Sequence, residues 1–413
     1  YRFSDFCEPK DRIDEPTAGP GAGMIIKPEV IEAAITRCQE EHGAGVKIFF
    51  SPQGTRLTQR VLRQMASTLG IAGTGTVPTV ASPSTASQPH IILVCPRYEG
   101  IDERVQQHFA DHTISIGDYV VMGGDLPAQV FLEGFLRLIP GVVGRQESVE
   151  KESFSGPFLD HPEYGLPVEW HSMRIPDIVQ SGNHAAIQTW RQQQACKRTL
   201  LNRFDWLRAY PLTPEEKALT QRLIPPHYVA LMHTQVKIKD GTVGTTSITS
   251  IDLHDTARSC ATFGIKNFFM VNPLTDQQAI IKTFLDFWQS EEGKNYNLSR
   301  YHAVSRVRAC LSLEEAIASI VEQEGQPPLI ITTSAKEQPA RQKIDYCSQG
   351  LAWKHNRPVL LLFGTGQGLS DELIEKSDYL LEPVNGLTDY NHLSVRSAIA
   401  IVLDRWLGLQ ETI

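Results

Sequence analysis

Residues 115–127 read SIGDYVVMGGDLP. Gly117 precedes a short apolar run, Gly123 and Gly124 follow it, and Pro127 comes before an apolar segment. Glycines at these places weaken either a helix or a strand. The stretch is therefore expected to be a tight backbone loop that passes very close to a ligand.

Its neighbours have the character of an α/β layer. VKIFF at 46–50 and HIILVC at 90–95 are short apolar runs of buried-strand type. SPQG at 51–54 reads as the turn after the first of them, and PRYEGIDERV at 96–105 leads from the second into a helix. Helical patterns cover 27–41, with Pro in the first turn, then 55–69 and 129–140. Such alternation implies a sheet with ligands at the carboxyl ends of its strands. Residues 1–24 run from a strand-like piece into a Gly-, Ala- and Pro-rich loop, either a ligand-contacting loop or a plain surface connection. Residues 72–89 are almost all Ala, Gly, Ser, Thr, Val and Pro, a composition that cannot bury a core, and read as a disordered insertion. Residues 144–176 are long for a structureless connection and read as a functional loop.

The chain changes character at 177–224, which is helical throughout. Arg191, Lys197, Arg198, Arg203 and Arg208 face a single acid, Asp205, between 191 and 208. This is either a solvated helix face or a patch for RNA phosphates. Pro225-Pro226 opens a second α/β unit, with strand-like runs at 228–233, 267–272, 328–333, 358–364 and 379–383 and helical patterns between them.

Bulk properties narrow the function classes. A chain of 413 residues has room for two or three domains. The net charge of −8 argues against a protein that coats nucleic acid by bulk charge, while leaving room for a local basic patch. Seven cysteines without a CxxC pair fit reduced thiols in a cytoplasm, not a disulfide framework or zinc site. No apolar run reaches the roughly 18 residues of a membrane-spanning helix. The chain begins at Tyr1 rather than Met, and residues are expected upstream of it. No His/Asp/Glu cluster has metal-ligand spacing. No GxGxxG opens a helix after the first strand, which argues against a nicotinamide-dependent enzyme.

Five motifs in order, LVCPRYEGIDERV (93–105), SIGDYVVMGGDLP (115–127), RLIPGVVG (137–144), ESFSG (152–156) and SGNHAAIQTWR (181–191), resemble the TrmD-type tRNA (guanine-N1)-methyltransferases. The resemblance covers nearly all of residues 1–224. It implies a SPOUT-type α/β domain with a deep trefoil knot over 1–158, lacking its first strand and helix, an interdomain loop over 159–176, and a small helical tRNA-binding domain over 177–224. It also implies a homodimer with a shared active site, and S-adenosylmethionine as cofactor. By that resemblance the cofactor lies against Ser115, Ile116, Gly117, Asp118, Tyr119, Val120 and Val121. Gly123, Gly124 and Pro127 complete one wall, and Pro52, Pro96, Tyr98, Glu99 and Gly100 form the other. The family's Gly is Pro96 here, so a cofactor contact at that point would use its carbonyl.

Methyl transfer to a protonated ring nitrogen needs a base for the N1 proton and a cation for charge on the neighbouring oxygen. Arg137 falls on the family's Arg position, and Glu152 stands at its Asp position. The implied reaction is methylation of N1 of guanosine 37 of tRNA, next to the anticodon. Magnesium is allowed by the resemblance but has no site in the residues. The reading from another class is a non-catalytic RNA-binding protein with degenerate methyltransferase domains.

Residues 225–413 resemble, less closely, the ribose-methylating SpoU branch of the same superfamily. SIDLHDTARSCATFGI (250–265) resembles its first motif, with Arg258 at the Arg position and Asp252 where Asn is usual. LLFGTGQGLS (361–370) resembles the second, with Gly366 where Glu is usual, and NHLSVRSAIAIVLDRWL (391–407) the third. The expectation is either a second adenosine pocket at 364–369 and 391–394 or a degenerate module that binds RNA or stabilises the dimer.

Overall fold

A computed structural model describes residues 1–20, 23–70, 90–144, 152–339 and 342–409. The insertion expected at 72–89 and the start of the long loop at 144–176 lie outside the described residues. The described chain forms two compact units, Tyr1–Ser155 and Gly156–Ile413.

The first unit is built on a three-stranded parallel sheet, ordered His90–Val94, Gly45–Arg56, His112–Ser115. Alternate residues of the central strand point to opposite faces, as a pleated strand requires. Ile48 and Phe50 pack with Leu62, Met65, Phe131 and Phe135, whereas Phe49 packs with Val30, Ile31 and Ile35. The expected turn at 51–54 is instead a bulge. The central strand shifts register between Phe50 and Thr55 against Ile114 and then runs on to Arg56. A bulge inserts unpaired residues without ending the strand, so the pattern break reads as a turn. The second helix is Gln59–Thr68, started by the Thr58 hydroxyl accepting from the Val61 N–H. The helix expected at 129–140 is Asp125–Leu136, so Pro127 sits inside its first turn, where a missing N–H costs nothing.

The second unit carries a seven-stranded parallel sheet. Its order is Val307–Cys310, Phe268–Val271, His227–Met232, Val359–Gly364, Leu329–Thr333, Tyr379–Leu381, Lys343–Ile344. The central strand His227–Met232 is buried along its whole length. Val229 and Leu231 face one core, and Tyr228, Ala230 and Met232 the other. Two of these strands escape a reading by apolar runs. Only the two ends of Val307–Cys310 are buried, and Lys343–Ile344 is two residues long.

The helical segment does not pack as a separate body. Cys196, Leu200, Phe204 and Leu207 lie in one core with Trp353, Leu403 and Trp406. The boundary expected at 224/225 therefore falls inside a compact unit. Its joint is His227, directly after Pro225-Pro226. The His227 Nδ1–H donates to the Pro225 carbonyl at 2.7 Å, and its Nε2 accepts from the indole N–H groups of Trp353 (3.2 Å) and Trp406 (3.0 Å). These partners fix the neutral ring, and burial lowers its pKa from 6.5 to about 4. Burial likewise pushes His233, at the end of the same strand, down to about 4.

A histidine that is harder to protonate when folded stabilises the protein fully above the unfolded value. That stability is lost as pH falls from 6.5 toward 4. Denaturant titrations of the full chain are expected to show a loss of about 2 kcal/mol for each such histidine between pH 7 and pH 5. His227→Leu should lower stability at pH 7 and flatten this slope; an unchanged slope would contradict the assignment.

Candidate active site

Three segments of the first unit converge at the carboxyl ends of its strands. The bulge presents Ser51, Pro52 and Gln53, the segment after His90–Val94 presents residues 96–101, and the loop after His112–Ser115 presents Ile116, Tyr119, Val120, Val121, Gly123 and Gly124. They enclose a cleft of about 230 Å³. Of the residues expected from the sequence to hold a cofactor, Pro52, Pro96, Tyr98, Glu99 and Gly100 line one side. Ser115, Ile116, Tyr119, Val120, Val121, Gly123, Gly124 and Pro127 line the other. Gly117 and Asp118 do not line it. Asp118 is exposed and lies 3.7 Å from the Arg56 guanidinium. The Ser115 hydroxyl bonds to the Gly117 backbone, donating to its carbonyl at 3.1 Å, and holds the first bend of the loop.

The two walls are joined at Gly124. Its N–H donates to the Pro96 carbonyl at 2.7 Å. A side chain at Gly124 would place Cβ 2.3 Å from Pro96 Cδ and 2.7 Å from Cys95 Cα, so only glycine permits this approach. The Pro96 carbonyl, expected to be a cofactor contact, is thus already engaged in closing the cleft. Arg97 and Asp125 pair across the same seam at 2.9 Å. Cys95 lies beneath it, its thiol pushed up to about 11 by burial and by the Asp125 carboxylate, which leaves it a poor nucleophile.

The sequence reading missed Glu103 and Gln106, both of which line the cleft from the helix Glu103–Phe109. They lie at i and i+3, so they share a face, and that spacing was the available signal. The cleft meets the needs of an adenosine: backbone amides and carbonyls at close range, apolar side chains between them, and a glycine cradle. Its own residues therefore fit S-adenosylmethionine.

Arg137 and Glu152 form an ion pair with each other. Arg137 ends the helix Asp125–Leu136, and Glu152 opens a turn in which the Ser155 N–H donates to the Glu152 carbonyl at 3.0 Å. Arg63 braces that turn through a 3.0 Å bond to the Ser155 hydroxyl. Neither Arg137 nor Glu152 lines the cleft. The cleft wall is at the start of the helix and Arg137 at its end. From Pro127, the last helical residue to line the cleft, ten residues rise roughly 15 Å to Arg137, beyond the reach of an arginine side chain.

Two family models and several curated relatives match the chain. Residues 1–72 and 78–209 match the family model described as tRNA (Guanine-1)-methyltransferase TrmD, and residues 226–408 match one described as SAM-dependent RNA methyltransferase. A tRNA (guanine-N(1)-)-methyltransferase of Oleidesulfovibrio alaskensis is 34% identical over 98% of this chain and 91% of its own length. The chain belongs to the tRNA (guanine-N1)-methyltransferase family. A relative of the same name from Nitratidesulfovibrio vulgaris is 33% identical over 96% of this chain and 88% of its own. That of Neisseria meningitidis serogroup B is 40% identical over 51% of this chain, and 77% of its own length is covered. The desulfovibrio relatives thus span both units.

The basic helix is less free than its composition suggests. Arg198 donates to the Asp160 carbonyl at 3.2 Å, and Arg203 pairs with Asp205 at 2.9 Å. Arg208 donates to the carbonyls of Asp404 (2.9 Å) and Arg405 (2.8 Å). It caps the last turn of the helix Val395–Leu407 rather than facing a phosphate. Lys197 and Arg198 are exposed.

In the candidate second site, Gly366 has φ +60, and a Cβ there would fall 2.7 Å from the Lys237 carbonyl. The Gln367 N–H donates to that carbonyl at 2.8 Å. The glutamate usual at this place cannot occupy this backbone. Asp252 accepts from Arg396 at 3.2 Å and from the Thr249 hydroxyl at 2.6 Å. The ion pair with Arg396 requires the acid rather than an asparagine.

Gly124→Ala is expected to spread the two walls and weaken S-adenosylmethionine binding at least tenfold by titration calorimetry, on the order of 1.4 kcal/mol or more. Full-strength binding by a folded variant would show that the cleft is not the cofactor site.

Proposed function

We propose that the chain transfers a methyl group from S-adenosylmethionine to N1 of guanosine 37 of tRNA, next to the anticodon. The observation that carries this reading is the Arg137–Glu152 pair. Guanine presents an acceptor, O6, beside a donor, N1–H. A guanidinium beside a carboxylate presents the complementary order, donor beside acceptor. Adenine presents the reverse, a donor beside an acceptor, and leaves both protein groups facing like partners. The same two side chains therefore select the base and perform the chemistry.

Glu152 takes the N1 proton as the nitrogen gains its methyl group. Arg137 donates to O6 and stabilises the negative charge that grows there as the proton leaves. To do so the two side chains part from each other and receive the base between them. When bound in the cleft, S-adenosylmethionine supplies the electrophilic methyl group. The cleft's backbone groups hold the adenosine and exclude water from it.

The roughly 15 Å between cleft and pair supports a homodimer in which the cleft of one protomer works with Arg137 and Glu152 of its partner. The apolar residues left exposed along the helix Asp125–Leu136 and the preceding loop support the same arrangement. They include Met122, Leu126, Val130 and Leu136. A trefoil knot of the SPOUT type is the fold we propose around the loop at 116–124. The exposed Lys197 and Arg198 would contact the anticodon stem. A cytoplasmic setting follows from the substrate. Among the described residues no group of three His, Cys, Asp or Glu side chains is placed to hold a metal.

The direct test is methyl transfer to tRNA transcripts carrying guanosine or adenosine at position 37. Wild type is expected to modify the first and not the second at that position. Glu152→Gln should lose about 10²- to 10⁴-fold in rate while keeping S-adenosylmethionine affinity. Unchanged turnover by that variant would remove Glu152 from the reaction.

A further inference from the structure

The helices that the proposed function gives to the tRNA are built into the C-terminal domain. Phe204 meets Trp353 edge-on, with ring centroids 4.8 Å apart. Gly350 packs so tightly on the helix His184–Asn202 that a Cβ there would fall 2.0 Å from the Leu201 carbonyl. Arg208 straps the end of the helix Val395–Leu407 through two carbonyls. The connection between the helix Pro214–Leu223 and the strand His227–Met232 is only residues 224–226, and His227 locks it. A shared core with so short a connection behaves as one rigid piece rather than as two domains on a linker.

The helix Val395–Leu407 is a strut. Its C-terminal end carries Arg208, and its N-terminal end carries the loop at 385–394 that borders the candidate second site. Thirteen residues set the two ends about 20 Å apart. That loop holds Leu387, Tyr390 and Leu393 in solvent, with the Tyr390 ring 5.4 Å from the ring of His392. Exposed rings of this kind stack unpaired bases. Asn391 anchors the loop by donating to the Ala335 carbonyl at 2.5 Å. Residues 226–408 match a family described as acting on RNA. An RNA held by the helices is presented to that loop at fixed range, which raises its effective concentration there far above that of any free RNA.

We infer that the RNA served by the C-terminal domain is the same tRNA molecule that the helices hold, engaged through the loop at 385–394. The inference rests on the proposed tRNA-binding role of those helices. Both helix and loop contact one substrate, and the shared core holds the two contacts in one rigid piece.

Hydrogen exchange on the full-length protein, with and without a tRNA transcript and without S-adenosylmethionine, tests this. tRNA is expected to slow exchange in both His184–Asn202 and residues 385–394. Tyr390→Ala should weaken tRNA binding by about fivefold or more, with the protein still folded. If tRNA protects the helix but leaves 385–394 unchanged and Tyr390→Ala binds as wild type, the inference is wrong while the proposed function stands. If tRNA neither binds nor protects the helix, the proposed function itself fails and the inference falls with it. Protection of 385–394 by an unrelated RNA of equal length, to the same extent as by tRNA, would also overturn it.

Discussion

One rigid element separates the cleft of the first unit from its Arg–Glu pair. The helix Asp125–Leu136 starts at the glycine pair that closes the cleft and ends at Arg137. Its backbone ladder holds those ends roughly 18 Å apart, whatever the side chains do. Under the proposed function, donor binding and base recognition lie at opposite ends of one rod. A single protomer offers a complete cofactor wall and a complete Arg–Glu pair, but not both at one point. Two copies related by a twofold axis would bring the end of one rod to the start of the other, the arrangement that self-complementary dimers allow.

The cleft depends on shape more than on side-chain chemistry. Gly124 and Pro96 meet through backbone atoms, and the Ser115 hydroxyl holds the bend at Gly117. Proline at 96 is compatible with this because its carbonyl, not an N–H, makes the joint. The departure from the family's glycine leaves the closure intact. The same logic recurs in the second unit, where Gly366 makes room for the Lys237 carbonyl and Asp252 answers Arg396. Both departures from the related motifs fit contacts that are present.

The strand–loop–helix order and the loop at 116–124 were legible because glycine and proline punctuate apolar runs there. The residue types Arg137 and Glu152 were legible from motif position, whereas their pairing was not, since a spacing of 15 residues through a loop predicts no contact. The bulge after Phe50 looked like a turn because it breaks the period of two without ending the strand. Val307–Cys310 was invisible because only its ends are buried. The merging of the helices with the C-terminal domain was hidden for another reason. The apolar stripe through Cys196 and Leu200 fits any amphipathic helix, and nothing local says what covers it. Arg208 misled by composition: a guanidinium that caps helix carbonyls and one that binds phosphate look alike in sequence.

The dimeric division of labour is the claim on which the rest of the mechanism turns. It is tested most directly by mixing a Glu152→Ala protein with a Gly124→Ala protein, at S-adenosylmethionine concentrations too low to fill the Gly124→Ala cleft, and assaying guanosine methylation after subunit exchange. The account predicts recovery toward about a quarter of wild-type activity, since half of the dimers are mixed and each mixed dimer has one intact site. No recovery, with mixed dimers demonstrably formed, would mean that cleft and pair act within one chain and would contradict it.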